Sequence, residues 1–301
     1  MHEKYRETAD RIRKVAEKDR NIRGVVILGS QVRADQPGDE WSDLDALVFA
    51  DDPSVFIDSD EWLGLFGRVA CISREIVDLS WVPLTWHVRR VLYDDNRALD
   101  FSIMPFDRLK DVLEINREIH SLGYQVLYDG TGADLSSLVE KSVQDYRKPV
   151  GAPMTAAELT ELTNDILFSV VYAFKKIKRK ELWVAVSEIN GRIGGMMLRL
   201  TEAYNTVVAG RSGIIDYDGR FLEQRTDGNV LSLLGSCFSK YNEESAVRAL
   251  EGILHATDRL NAELCIKIGS AGCEQPIGAV WKLFHEIKNG EDTEAGTDLP
   301  G

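Results

Sequence analysis

Three aspartates carry the chemistry that this sequence suggests first. Asp43 and Asp45 flank Leu44 in the run Ser-Asp-Leu-Asp-Ala-Leu-Val-Phe-Ala, and Asp100 lies in Leu-Asp-Phe-Ser-Ile. Side chains on a β-strand alternate between faces, so Leu44, Ala46 and Val48 share one face and Asp43 and Asp45 share the other with Leu47 and Phe49. The same alternation puts Leu99, Phe101 and Ile103 on one face and Asp100 beside Ser102 on the other. If the two strands are neighbours, three carboxylates converge. At about 5 Å and an effective dielectric of ~20, each pair repels by roughly 3 kcal/mol, or ~10 kcal/mol for the trio. Such a trio must splay apart, keep one proton or bind a divalent cation. Oxygen-only ligands on a rigid strand favour magnesium. The triplet alone says little, because Asp58/Asp60 and Asp216/Asp218 repeat it in an acidic chain; its strand setting sets the first apart.

A second feature lies just upstream. The apolar run Gly24 to Leu28 reads as a strand that stops at Gly29-Ser30. A strand ending in Gly-Ser and turning into a short helix offers backbone N–H groups and a hydroxyl, a small cradle for phosphate oxygens.

The elements that must position these residues follow from hydrophobic periodicity. Tyr5, Ala9, Ile12 and Val15 predict an amphipathic helix over 2–20. Strands are predicted at 24–28, 43–50, 68–72, 86–93, 98–104 and 124–128, and helices at 54–66 and 107–118. The turn Asp94-Asp95-Asn96 predicts a hairpin, and the whole half an α+β domain with a mixed sheet. Two prolines and a glycine between Tyr146 and Pro153 mark a boundary. Beyond it, apolar stripes of 3.6-residue period at 155–180, 181–204, 227–240, 243–268 and 277–287 predict an all-α bundle. The expected organisation is a catalytic domain at 1–148, a helical domain at 154–288 and a disordered polar tail at 289–301.

Composition excludes several classes. With 44% hydrophobic and 28% charged residues among 301, the chain has the balance of a soluble globular protein. A formal charge of −13 argues against nucleic acid as a partner. No apolar run reaches the ~18 residues that cross a bilayer, so no membrane partner is expected. The four cysteines form no C-x-x-C pair and the N-terminus is charged rather than greasy, which predicts a cytoplasmic protein. From Asp35 to Glu61 there are ten acidic residues and no Lys or Arg, a band suited to a polycation.

Taken together, a strand ending in Gly-Ser, an Asp-apolar-Asp strand and a third strand aspartate resemble the nucleotidyltransferase superfamily of the DNA polymerase β type. Across roughly residues 15–270 the chain resembles the aminoglycoside 6-adenylyltransferases, the streptomycin-modifying type. The resemblance is strongest at Leu28-Gly29-Ser30, Ser42 to Phe49, Leu99 to Pro105 and Tyr172 to Leu182, with weaker echoes at Leu198-Arg199 and Gly219 to Leu222. That family usually carries Arg directly after Gly-Ser, where Gln31 stands here, with Arg33 two positions on. The resemblance implies a polymerase-β-like sheet domain followed by a helical bundle that completes the nucleotide and acceptor cleft. It implies antibiotic resistance by magnesium-dependent transfer of AMP from ATP to a hydroxyl of a small cationic acceptor, an aminoglycoside such as streptomycin, with release of pyrophosphate. Asp43, Asp45 and Asp100 would be catalytic residues holding two magnesium ions, Asp100 also taking the hydroxyl proton. Gly29, Ser30, Lys175 and Arg179 would hold the triphosphate, and the expected state is a monomer or weak dimer. Transfer to a lincosamide, nucleotide or protein hydroxyl, and a non-catalytic nucleotide-binding regulator or antitoxin, are the competing readings.

Overall fold

Period-two apolar patterning in the first half builds a six-stranded mixed sheet. The computed structural model describes residues 1–79, 84–146, 153–211, 219–269 and 274–289; the Asp216/Asp218 triplet, Cys273 and the predicted tail beyond 289 lie outside them. The chain divides into two compact units, Met1–Lys148 and Pro149–Gly301.

In the first unit, helix α1 (Glu3–Ala16) leads into β1 (Ile22–Leu28) and β2 (Leu44–Ala50), and a short α2 (Ser54–Ile57) precedes the hairpin β3 (Val69–Leu79) and β4 (Leu84–Tyr93). Then come β5 (Ala98–Pro105), α3 (Leu109–Ile115), α4 (Arg117–Leu122), β6 (Gln125–Asp129) and α5 (Leu135–Val143). The strand order is β3-β4-β5-β2-β1-β6. Among the described residues only β2 and β5 pair in parallel.

Strand alternation sorts the core into two layers. Leu44, Ala46, Val48, Leu99, Phe101 and Ile103 pack on one face with Ile12, Phe56 and Phe66. Leu28, Leu47, Phe49 and Met104 pack on the other with Val112, Leu113 and Val139 from α3 and α5. Both faces are covered, which buries the central strands. Asp45 and Asp100 fall on the second face, where its apolar layer ends. Helix α1 ties the loops at that end: Lys4 Nζ donates to the carbonyls of Glu40 (2.8 Å) and Asn96 (2.7 Å), and the Ala98 N–H donates to Tyr5 Oη at 3.2 Å.

Local expectations change, among them that the helix predicted at 107–118 is divided between α3 and α4. The helix predicted at 54–66 is α2 plus a 3₁₀ segment, Glu61–Phe66, and the residues between them carry Asp60 to two arginines, described below. Helix α5 has no counterpart among the sequence-based elements.

The second unit holds α6 (Ala156–Lys178), α7 (Leu182–Ser187), α8 (Gly194–Val207), α9 (Leu222–Arg225), α10 (Gly228–Gly235), α11 (Glu243–Ile268) and α12 (Glu274–Asn289). Thr155 and Glu158 form a reciprocal capping box that starts α6. A π-helical turn, Glu188–Ile193, joins α7 to α8. Leu162, Ile166, Val170 and Phe174 of α6 pack with Met197 and Leu200 of α8, Leu250, Leu254 and Leu264 of α11, and Phe284 of α12; the Phe174 and Phe284 rings stack at 4.4 Å. Among the described residues no helix is long and apolar enough to cross a membrane.

Candidate active site

The site is built where β1 ends. Gly29 has φ +70°, a left-handed conformation that glycine adopts without strain, and a Cβ there would run into Asp45 Oδ2. Glycine thus serves both the turn and the close approach of backbone to carboxylate. The chain then makes one 3₁₀ turn, Gly29–Gln31. The Ser30 carbonyl accepts from the Gly38 N–H at 2.6 Å, whereas Ser30 Oγ is buried and has no hydrogen-bond partner. Gln31 is buried, and its Oε1 accepts from the His2 N–H at 2.8 Å. At the position where the resembling family carries arginine, this chain therefore fastens its N-terminal segment. Arg33 is held by both oxygens of Asp35, at 3.0 and 2.9 Å.

Parallel pairing sets Asp45 of β2 directly beside Asp100 of β5, and Asp43 immediately precedes β2. One oxygen from each of Asp43, Asp45 and Asp100 lies within 4.8 Å of the others. Asp43 is exposed and the other two are half-buried. Burial first, and the Asp43 charge second, push the Asp100 carboxyl up to about 6, against a partial opposing pull from Arg90. A residue pair that the sequence reasoning missed completes this picture. Arg90 of β4 stands opposite Asp100 in register, its Nε 3.2 Å from Asp100 Oδ2 and its Nη2 2.8 Å from Glu75 Oε2. Strand alternation puts Arg90 on one face with Trp86 and Val88, but that β4 lies next to β5 on that face is not written in its sequence.

The donor set fits a small hard cation. Carboxylate oxygens are the ligands magnesium prefers, and the three aspartates each bring one such oxygen within 4.8 Å of the others.

Much of the acidic band has other employment. Asp39 and Asp52 accept from Ser42 and Ser54 in local turns, Asp51 pairs with Arg23 at 3.2 Å, and Asp60 accepts from Arg89 Nε at 2.8 Å and also from Arg74. In the helical unit, Lys175 is exposed in the last turn of α6 and Arg179 is its C-cap. Glu181 takes both Arg179 Nε (2.8 Å) and Lys176 Nζ (2.6 Å), and the Lys176 hydrogen bond chiefly holds its carboxyl below the usual range.

Comparison with known proteins bears on this geometry. The sequence model of the streptomycin adenylyltransferase family matches residues 2–270. An aminoglycoside 6-adenylyltransferase of Bacillus subtilis (strain 168) is 24% identical over 223 residues, 73% of this chain and 76% of that protein. One from Campylobacter jejuni is 21% identical over 243 residues, 80% of each chain. A crystal structure of an aminoglycoside 6-adenyltransferase from Bacillus subtilis, 18% identical, covers 94% of this chain and 97% of its own at a TM-score of 0.44. The family match spans the Gly-Ser turn, the three aspartates and the end of α6 in one continuous stretch. On that extent the chain is a nucleotidyltransferase and belongs to the streptomycin adenylyltransferase family.

Proposed function

We propose that the protein transfers AMP from ATP to a hydroxyl of an aminoglycoside, streptomycin being the leading candidate, with release of pyrophosphate. Three convergent carboxylate oxygens beside a Gly-Ser turn, in a chain of this family, carry the reading. The acceptor hydroxyl oxygen bonds to the α-phosphorus, the bond from that phosphorus to the β-phosphate bridging oxygen breaks, and the hydroxyl proton goes to Asp100. A carboxylate beside the attacking oxygen can serve as its general base. Asp43, Asp45 and Asp100 would hold magnesium, two ions in the full reading, which when bound supplies charge neutralisation for the triphosphate and activation of the hydroxyl. Gly29 brings backbone close to Asp45, and the Ser30 hydroxyl offers a hydrogen bond to a phosphate oxygen. The family resemblance assigns Lys175 and Arg179 to the triphosphate. An aminoglycoside is a polycation, which the net charge of −13 attracts.

The deciding experiment is a mass spectrum of streptomycin incubated with protein, ATP and magnesium. One added adenylyl group, absent with Asp100→Asn although ATP still binds, is the expected result. An unmodified panel of aminoglycosides, with the adenylyl group found on another acceptor, rejects the substrate assignment.

A further inference from the structure

Asp100 is in contact with a positive charge from its own chain, which the reaction scheme above does not use. We infer that Arg90 is an internal counter-ion that occupies Asp100 in the metal-free enzyme and withdraws to Glu75 when the divalent cation binds. The inference rests on the reading of Asp43, Asp45 and Asp100 as the cation site.

Three observations support it. First, the two contacts of Arg90 use different nitrogens: Nε meets Asp100 and Nη2 meets Glu75. One bond can open while the other holds, so Glu75 acts as a tether. Second, the Arg90 side chain is 57% exposed, and an exposed ion pair costs little to break. The contrast is with Arg89, the preceding residue, whose side chain is 4% exposed and pinned to Asp60. Third, charge balance calls for a substitute cation. Asp100 shares the Arg90 guanidinium with Glu75 and lies within 4.8 Å of Asp43 and Asp45 oxygens, and carboxylates this close repel unless a positive charge stands among them. A guanidinium cannot enter the three-oxygen cluster as a small ion does, so Arg90 relieves only Asp100. Binding of the ion makes that relief redundant and the guanidinium a source of repulsion.

The consequence is a cost on metal loading set by one surface residue. Removing Arg90 should tighten magnesium, in the absence of nucleotide, by about fivefold, the equivalent of an exposed ion pair of about 1 kcal/mol. The test pairs calorimetry with NMR of the arginine Nε–H groups in the full-length protein, the Arg90 signal being identified by its loss in Arg90→Gln. Saturating magnesium should move the Arg90 Nε–H resonance to the position it has in metal-free Asp100→Asn, where the carboxylate partner is gone, and Arg90→Gln should bind magnesium more tightly than wild type. A resonance that stays in place while calorimetry shows the ion bound overturns the inference: Arg90 would then orient Asp100 without yielding it. An Arg90→Gln protein with unchanged or weaker magnesium affinity also overturns it. Failure of the site reading looks different, since the wild-type protein would then bind no magnesium that Asp45→Asn abolishes.

Discussion

Arg89 and Arg90 are consecutive residues of β4 and point to opposite faces of the sheet, and each meets an aspartate. On one face, buried Arg89 donates to Asp60 at 2.8 Å and to the carbonyl of Ile57 at 2.5 Å. On the other, exposed Arg90 touches Asp100 at 3.2 Å. Asp60 belongs to a triplet of the same Asp-x-Asp form as Asp43/Asp45, yet it is spent on fastening α2 and the following 3₁₀ segment to the sheet. The difference teaches that the triplet itself carries no chemistry. Asp100 has a carboxylate beside it on β2 and an exposed arginine on β4, whereas Asp60 is held by a buried guanidinium.

The sharpest way to break this comparison is to neutralise one member of each triplet. Asp45→Asn should lower turnover by about 10³-fold, roughly 4 kcal/mol of barrier, with the thermal unfolding midpoint unchanged or raised. Asp60→Ala should do the reverse. Leaving Arg89 buried and unpaired costs about 3 kcal/mol of stability, read by urea unfolding, while turnover per folded molecule stays near wild type. Equal loss of turnover in both variants would remove the distinction.

The pH dependence of stability sharpens it further. The Asp100 carboxyl is raised from its ordinary 3.8 to about 6 in the folded protein, so the folded state holds a proton that the unfolded chain releases. Stability from that proton is fully present below about 4 and is lost as pH rises through 6, with a span of up to about 3 kcal/mol. Asp100→Asn cannot lose it. In EDTA, the variant should therefore exceed wild type in urea-derived stability above pH 6 by up to that amount, with the gap closing towards pH 4. A constant gap across this range would mean that Asp100 is not raised.

The sequence showed these acids because strand alternation has a period of two that a reader can count. Leu44, Ala46 and Val48 define one face, and Asp43 and Asp45 must then share the other. It showed Gly29-Ser30 because an apolar run stops there. It did not show Arg90 or Glu75, whose relation to Asp100 depends on strand order, a property of the folded sheet. Nor did it show that the helix predicted over 54–66 breaks at 58–60, since the stabilising partners of Asp60, Arg74 and Arg89, lie on β3 and β4. Helix α5 was missed for a related reason. Its apolar residues Leu135, Leu138, Val139 and Val143 have helical spacing but span only nine residues, and the layer that Leu135 and Val139 complete is formed with Val112 and Leu113 of α3. The π turn at Glu188–Ile193 leaves the 3.6-residue pattern nearly intact, so the sequence reads as one uninterrupted helix.

The smallest expected effect separates binding from folding at a single atom. Ser30 Oγ is buried without a hydrogen-bond partner, and an unsatisfied buried hydroxyl costs about 1–3 kcal/mol. If that cost were only structural, Ser30→Ala would relieve it and change nothing else. If the hydroxyl is kept for a phosphate oxygen, the same variant should gain stability and lose nucleotide. We expect the unfolding free energy to rise by about 1 kcal/mol and the KM for ATP to rise about fivefold, with the KM for the acceptor unchanged. The opposite signs are the point. A hydroxyl fastening the turn would lower stability and binding together, and an idle one would leave ATP untouched, so the two measurements together say which kind of residue follows Gly29.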